Sequence, residues 1–126
     1  MTVEKLSVFE KQNYLNLETF RKNGAGVKTP VWFMRSGDIL YVRTGDVSAK
    51  VKRIRRNSSV KIAVCTGNGK LLGDWMDATT EISQDPAVIK QAEQLASKKY
   101  GFQNWIFTTM SRIRGGTYAT LVIRLN

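Results

Sequence analysis

The chain contains no histidine and a single cysteine. Without histidine there can be no Ser-His-Asp triad, no Cys-His pair and no histidine metal site. One cysteine permits no intrachain disulfide and, with no histidine to join it, argues against a zinc site. Cys65 stands in the apolar run from Val60 to Thr66. It reads as a small buried hydrophobe, because a reactive thiolate needs a basic partner that this sequence does not offer it. No apolar run approaches the ~20 residues of a membrane-spanning helix. The opening MTVEKLSVFEKQNY is charged throughout and lacks the apolar centre of a signal peptide. A soluble, cytoplasmic protein is expected.

Acidic residues are also scarce: 10 Asp and Glu stand against 20 Lys and Arg, a formal net charge of +10. Such a balance speaks to partners rather than to fold. It favours nucleic acid, an acidic membrane surface or a polyanionic small molecule. The remaining composition is ordinary. A length of 126 residues with 42% hydrophobic content suits one domain, residues 1–126, with a core of its own.

The cations are not spread evenly. SAKVKRIRRN, Ser48 to Asn57, holds Lys50, Lys52, Arg53, Arg55 and Arg56 and no acidic residue. Val47, Val51 and Ile54 share one helical face, so the spacing predicts a short helix over about 48–56, capped by Ser48 or Asp46. Three readings stand side by side. The charged face is solvated surface. Or it is the electrostatic footprint of a nucleic-acid binder, although no helix-turn-helix, RNP motif or GXXG loop accompanies it. Or the helix start is a phosphate site, because TGDVSAK supplies hydroxyls at Thr44 and Ser48, backbone N–H groups and nearby lysines. Lys50 sits where the helix dipole is already positive, which costs ~0.3–1 kcal/mol and reverses sign once an anion binds. Neither a GxxxxGK[ST] nor a GxGxxG pattern is present.

The rest of the chain reads mainly as strands. A short helix is expected over 3–11, then a hairpin of strands over 14–20 and 27–34 around KNGAG. Pro30 in the second of these marks an edge or a bulge, since it cannot donate to a ladder. Strands follow over 39–44, 59–66 and 71–82, the last bending at Gly73. Asp85-Pro86 caps a helix with Ile89, Ala92, Leu95 and Ala96 on its buried face, stopped by Gly101. A second helix is expected over 102–114, with Trp105, Phe107 and Met110 read as packing. A final strand runs over 117–125. Asp74 and Asp77 fall on opposite sides of their strand, which argues against a paired acid and base.

In order along the chain, TFRKNGAGVKTPVWF, DILYVRTG, SAKVKRIRRNSSVKIAVC and GKLLGDWMDATTEI resemble the pyridoxamine-5′-phosphate-oxidase-like proteins, in particular their branch of F420-dependent oxidoreductases. The resemblance spans roughly residues 13–83. It implies a mainly β fold: a six-stranded antiparallel split β-barrel with flanking helices, forming a homodimer. It also implies a flavin or deazaflavin cofactor, F420 or FMN, held at the dimer interface, and hydride transfer to or from a small-molecule substrate. By the same resemblance Thr29, Pro30, Val31 and Trp32 would lie along the cofactor ring. Thr44, Ser48, Lys50, Lys52 and Arg53 would hold its phosphate, and Trp75 would close the site from the partner chain. The acidic tail of F420 suits the net charge better than the single phosphate of FMN does. A non-catalytic carrier or sensor on the same fold is the alternative, and a nucleic-acid-binding module a more distant one. The substrate-binding C-terminal segment of pyridoxamine-5′-phosphate oxidase itself has no counterpart here. The haem-degrading relatives use histidine beside the haem, which this chain does not have.

Overall fold

The computed structural model describes residues 5–45, 48–101 and 118–126. A 3-10 helix, Leu6–Phe9, precedes β1 (Tyr14–Phe20), β2 (Gly26–Trp32), β3 (Met34–Ser36) and β4 (Ile39–Gly45). Then come α1 (Ala49–Arg56), β5 (Ser59–Cys65), β6 (Met76–Ser83), α2 (Pro86–Tyr100) and β7 (Tyr118–Leu125). Among the described residues no helix is long and apolar enough to cross a membrane.

All seven strands form one antiparallel sheet in the order β2-β1-β5-β6-β7-β4-β3. This order forces the sheet to curl. β2 and β3 are its two edges, yet only Phe33 separates them in the chain. Two Cα–Cα steps span at most ~7.6 Å. The edges therefore meet at Phe33, and the sheet closes into a barrel with an unzipped seam. The seventh strand arises here. The apolar run 27–34 reads as one strand, but the chain leaves β2 after Trp32 and begins β3 at Met34.

Other differences from the sequence pattern have local causes. The expected N-terminal helix is a 3-10 turn with Leu6 and Phe9 buried. Their separation of three residues is one 3-10 turn. The strand expected over 71–82 begins only at Met76, and Leu71 keeps a single bridge to Cys65. Gly73 lies so close to Val64 that an added Cβ would stand 2.9 Å from Val64 Cγ1. The chain crosses over β5 there instead of pairing along it. α1 starts at Ala49 with Ser48 as its N-cap, and α2 starts at Pro86 with Asp85 as its N-cap. The helix expected over 102–114 lies outside the described residues.

Alternation along the strands sends Leu15, Leu17, Ile62, Val64, Leu121 and Ile123 into the barrel, where Ile54 of α1 joins them. α2 packs outside the barrel. Its Ala92, Ala96 and Tyr100, at i, i+4 and i+8, meet Met34, Tyr41 and Val122. Ile89 and Leu95, expected on this face, are only partly covered.

The last turn of α2 holds the seam. Phe33 belongs to neither edge strand. Its N–H donates to Tyr100 Oη at 3.1 Å, and its carbonyl accepts from Tyr100 Oη at 2.7 Å and from Lys99 Nζ at 3.0 Å. The Tyr100 hydroxyl also stands 2.8 Å from the Asn13 carbonyl, so two carbonyls compete for its one proton. Burial raises its pKa well above the usual phenol value, the hydrogen bond to Phe33 opposes the rise, and Tyr14 adds to it. The hydroxyl therefore stays protonated as a donor. The Tyr100 ring stacks on Trp32 at 4.3 Å and 5°.

Tyr100→Phe keeps the stack but leaves the Phe33 N–H without its acceptor. It is expected to cost about 1–3 kcal/mol in urea unfolding; an unchanged midpoint would contradict the role given to the hydroxyl. Lys99 adds a pH dependence. Burial lowers its pKa from 10.5 to about 8. Between those values the unfolded chain holds the proton more tightly, so stability rises with pH across the interval, and the cost of charging Lys99 is fully present below it. Unfolding midpoints on either side of this window should therefore differ more in the wild type than in Lys99→Met.

Candidate functional site

A cavity of about 550 Å³ opens along the seam, on the outer side of the barrel. This is within the roughly 300–1,000 Å³ range of small-molecule and cofactor sites. One wall is β2, through Thr29, Pro30, Val31 and Trp32. β2 pairs with β1 alone, so the other side of its backbone is not taken up by a ladder. Pro30 is tolerated there because an edge position does not require its missing N–H. Register places Tyr14 directly opposite Trp32 and Asn16 opposite Pro30. The two aromatic rings meet edge to face at 6.5 Å. Behind them the β5–β6 turn presses inward. Gly69, at φ +91°, lies close enough that a Cβ would stand 3.3 Å from Pro30 Cγ. Only glycine meets both demands without strain.

The facing wall comes from the end of β4, with Arg43, Thr44 and Gly45, and from the start of α1, with Ser48 and Lys50. Ser48 Oγ accepts from the Val51 N–H at 3.3 Å and lies 3.1 Å from Thr44 Oγ1. The cap fixes the helix start against the strand end. The positive end of α1, with no acidic residue in its first turn, is therefore turned toward the cavity. Lys50 is half-buried at this end. Its pKa is lowered first by burial and then by the charge of Arg53. Among the described residues that line the cavity none carries a negative charge to set against this ammonium. Met34, Ala96 and Tyr100 complete the apolar half.

Seven residues singled out in the sequence thus meet in one cavity: Thr29, Pro30, Val31, Trp32, Thr44, Ser48 and Lys50. Three others lie elsewhere in the single chain. Lys52 is two residues beyond Lys50, a rotation of about 200° on a helix, and projects into solvent. Arg53 turns to β1, where its Nε donates to Thr19 Oγ1 at 2.6 Å. Trp75 lines a separate concavity with Val8 and Leu125, and Lys28 Nζ lies 5.5 Å from its ring centroid.

The cavity also contains residues that the sequence reading missed. Tyr14 was accessible through hairpin register. Arg43 follows from alternation with Tyr41 along β4. Tyr100 continues the stripe of Ala92 and Ala96 by four residues, but nothing local ties it to Trp32.

The family model of pyridoxamine 5′-phosphate oxidase matches residues 1–122. No curated protein matches the chain in sequence. Solved structures share its fold at low identity. An F420 reductase superposes with a TM-score of 0.63 at 17% identity, over 96% of this chain and 92% of its own. An FAD-binding protein from Mesorhizobium loti gives 0.66 at 17%, over 100% and 88%. The haem storage protein from Vibrio cholerae gives 0.68 at 16%, over 100% and 90%. At such identities the likeness shows the fold and leaves the ligand to the residues of each site. With the family model covering nearly its whole length, the chain belongs to the pyridoxamine 5′-phosphate oxidase family.

Proposed function

We propose that the seam cavity binds coenzyme F420 or FMN and that the protein is an oxidoreductase acting on a small organic substrate. One observation carries this reading. A single cavity joins an apolar, aromatic half at β2 to a cationic helix start at Lys50. A planar ring with an anionic side chain has the same two-part character. The family supports it, and so does the presence of a flavin binder and an F420 reductase among proteins of this fold.

The bound cofactor would supply the hydride chemistry; the chain supplies position and charge. Thr29, Pro30, Val31 and Trp32 lie along the ring. Thr44, Ser48 and the Lys50 ammonium hold the phosphate at the positive end of α1. Lys52 and Arg53, outside the cavity in a single chain, are retained as contacts for an anionic tail. The tail of F420 makes it the better match to a net charge of +10. A homodimer would bring Trp75 to the partner's cavity and cover exposed Leu71 and Leu72.

A non-catalytic carrier is the second reading. It is favoured by the lack of a carboxylate among the described residues that line the cavity. In the catalytic reading solvent delivers the proton, because the Tyr100 hydroxyl is committed to the seam.

The test is a fluorescence titration with F420 and FMN in parallel. Saturable binding of one or both is expected, and binding of neither overturns the assignment. Lys50→Glu should weaken binding about tenfold or more with the fold intact, since it replaces a charge-assisted contact by a repulsion. Normal affinity in that variant would remove the phosphate assignment. Affinity should also fall as pH rises through the lowered pKa of Lys50, because only the ammonium form attracts the anion. Turnover with a substrate panel then separates enzyme from carrier.

A further inference from the structure

Beyond the cofactor cavity, the seam has a second concavity, at the barrel rim. It is lined by Phe9, Glu10, Lys11, Asn13, Phe33, Arg35 and Lys99, none of which lines the first cavity. Three of its side chains are cations and one is an acid. That acid is already engaged: Glu10 Oε1 pairs with Arg35 at 3.4 Å. Among the described residues no carboxylate lies within ion-pair distance of Lys11 or Lys99.

Lys99 is the informative group. Its ammonium reaches inward, donates to the Phe33 carbonyl at 3.0 Å and lies 3.5 Å from the Phe33 ring centroid. Both partners offer only partial negative charge. Lys99 is exposed as a residue, while its ammonium is partly screened from water by these contacts and has no formal counter-charge among the described residues. Burial correspondingly lowers its pKa to about 8. Lys11, on the same rim, is the one non-glycine residue with positive φ among the described residues, at 61°. Lys11 follows the 3-10 helix by two residues, after its C-cap Glu10, and lines the concavity. Phe9 and Phe33, edge to face at 5.4 Å, are themselves buried and close the base of the concavity.

We propose that this rim concavity is a second anion site, in which Lys99 and Lys11 bind the oxyanion group of a small organic ligand, a carboxylate or a phosphate ester. The site does not depend on the identity of the cofactor. It shares no lining residue with the first cavity, although Phe33 of the one stands between Trp32 and Met34 of the other along the seam.

Amide chemical shifts of the full chain, titrated with inorganic phosphate and separately with benzoate at constant ionic strength, test it. Saturable shifts at Lys11, Asn13 and Phe33 are expected with at least one probe, and the tighter probe identifies the oxyanion. Lys99→Met should weaken that response about tenfold, while Lys50→Met leaves it within about twofold because distant sites act independently. Should Lys99→Met fail to fold, Lys11→Gln, which alters an exposed side chain, is expected to weaken the same response severalfold. The proposal is overturned if neither probe gives saturable shifts at these residues, if the shifts are confined to residues 48–51, or if the lysine variants respond like the wild type. The second of these outcomes would leave the cofactor assignment standing, so the two readings fail separately.

Discussion

Everything in this fold depends on closing a sheet whose edges meet across one residue. Strand order puts β2 and β3 at opposite ends, and chain continuity brings them together at Phe33. The bend withdraws the Phe33 backbone from both ladders. A buried N–H and C=O must then find other partners, since leaving them unmade is costly. Tyr100 and Lys99 supply them from the last turn of α2. The C-terminal end of one helix thereby decides how the two edges approach.

The candidate site is a consequence of that closure. Because the edges meet without zipping, a groove remains along β2, and its walls come from segments far apart in sequence. The Trp32 ring is set between Tyr14 from one side and Tyr100 from the other. The same hydroxyl that secures Phe33 therefore orients an aromatic wall of the cavity. Opposite it, the Ser48 cap fixes where α1 begins and so where Lys50 stands. Packing at the seam and charge at the helix start are separate mechanisms, and the cavity needs both.

The cluster of five cations in SAKVKRIRRN divides by helical geometry into different roles. Lys50 reaches the cavity, Arg53 is bonded to Thr19, and Lys52, Arg55 and Arg56 face solvent. Val51 and Ile54 turn inward to close the end of the barrel. One short helix thus serves core, site and surface at once. That is possible because its apolar positions take less than half of its circumference.

The sequence by itself determined the elements and much of one wall of the site. Alternation revealed β1 and β5, β-branched and aromatic content marked β4, turn chemistry located the hairpin of β1 and β2, and Asp85-Pro86 marked one helix start while Ser48 was one of two cap candidates for the other. These are local effects of side-chain period and backbone hydrogen bonding, legible within a few residues. Motifs along the chain also indicated Thr29 to Trp32, Thr44, Ser48 and Lys50. The break at Phe33 and the late start of β6 were not legible, because each is imposed by contacts with distant residues: Tyr100 and Lys99 in the first case, Val64 in the second. Only the tertiary structure could separate Lys50 from Lys52 and Arg53, place Trp75 away from the cavity of its own chain, and bring Tyr100 onto Trp32. Those outcomes follow from long-range closure of the sheet, and no window of sequence contains both of its edges and the helix that joins them.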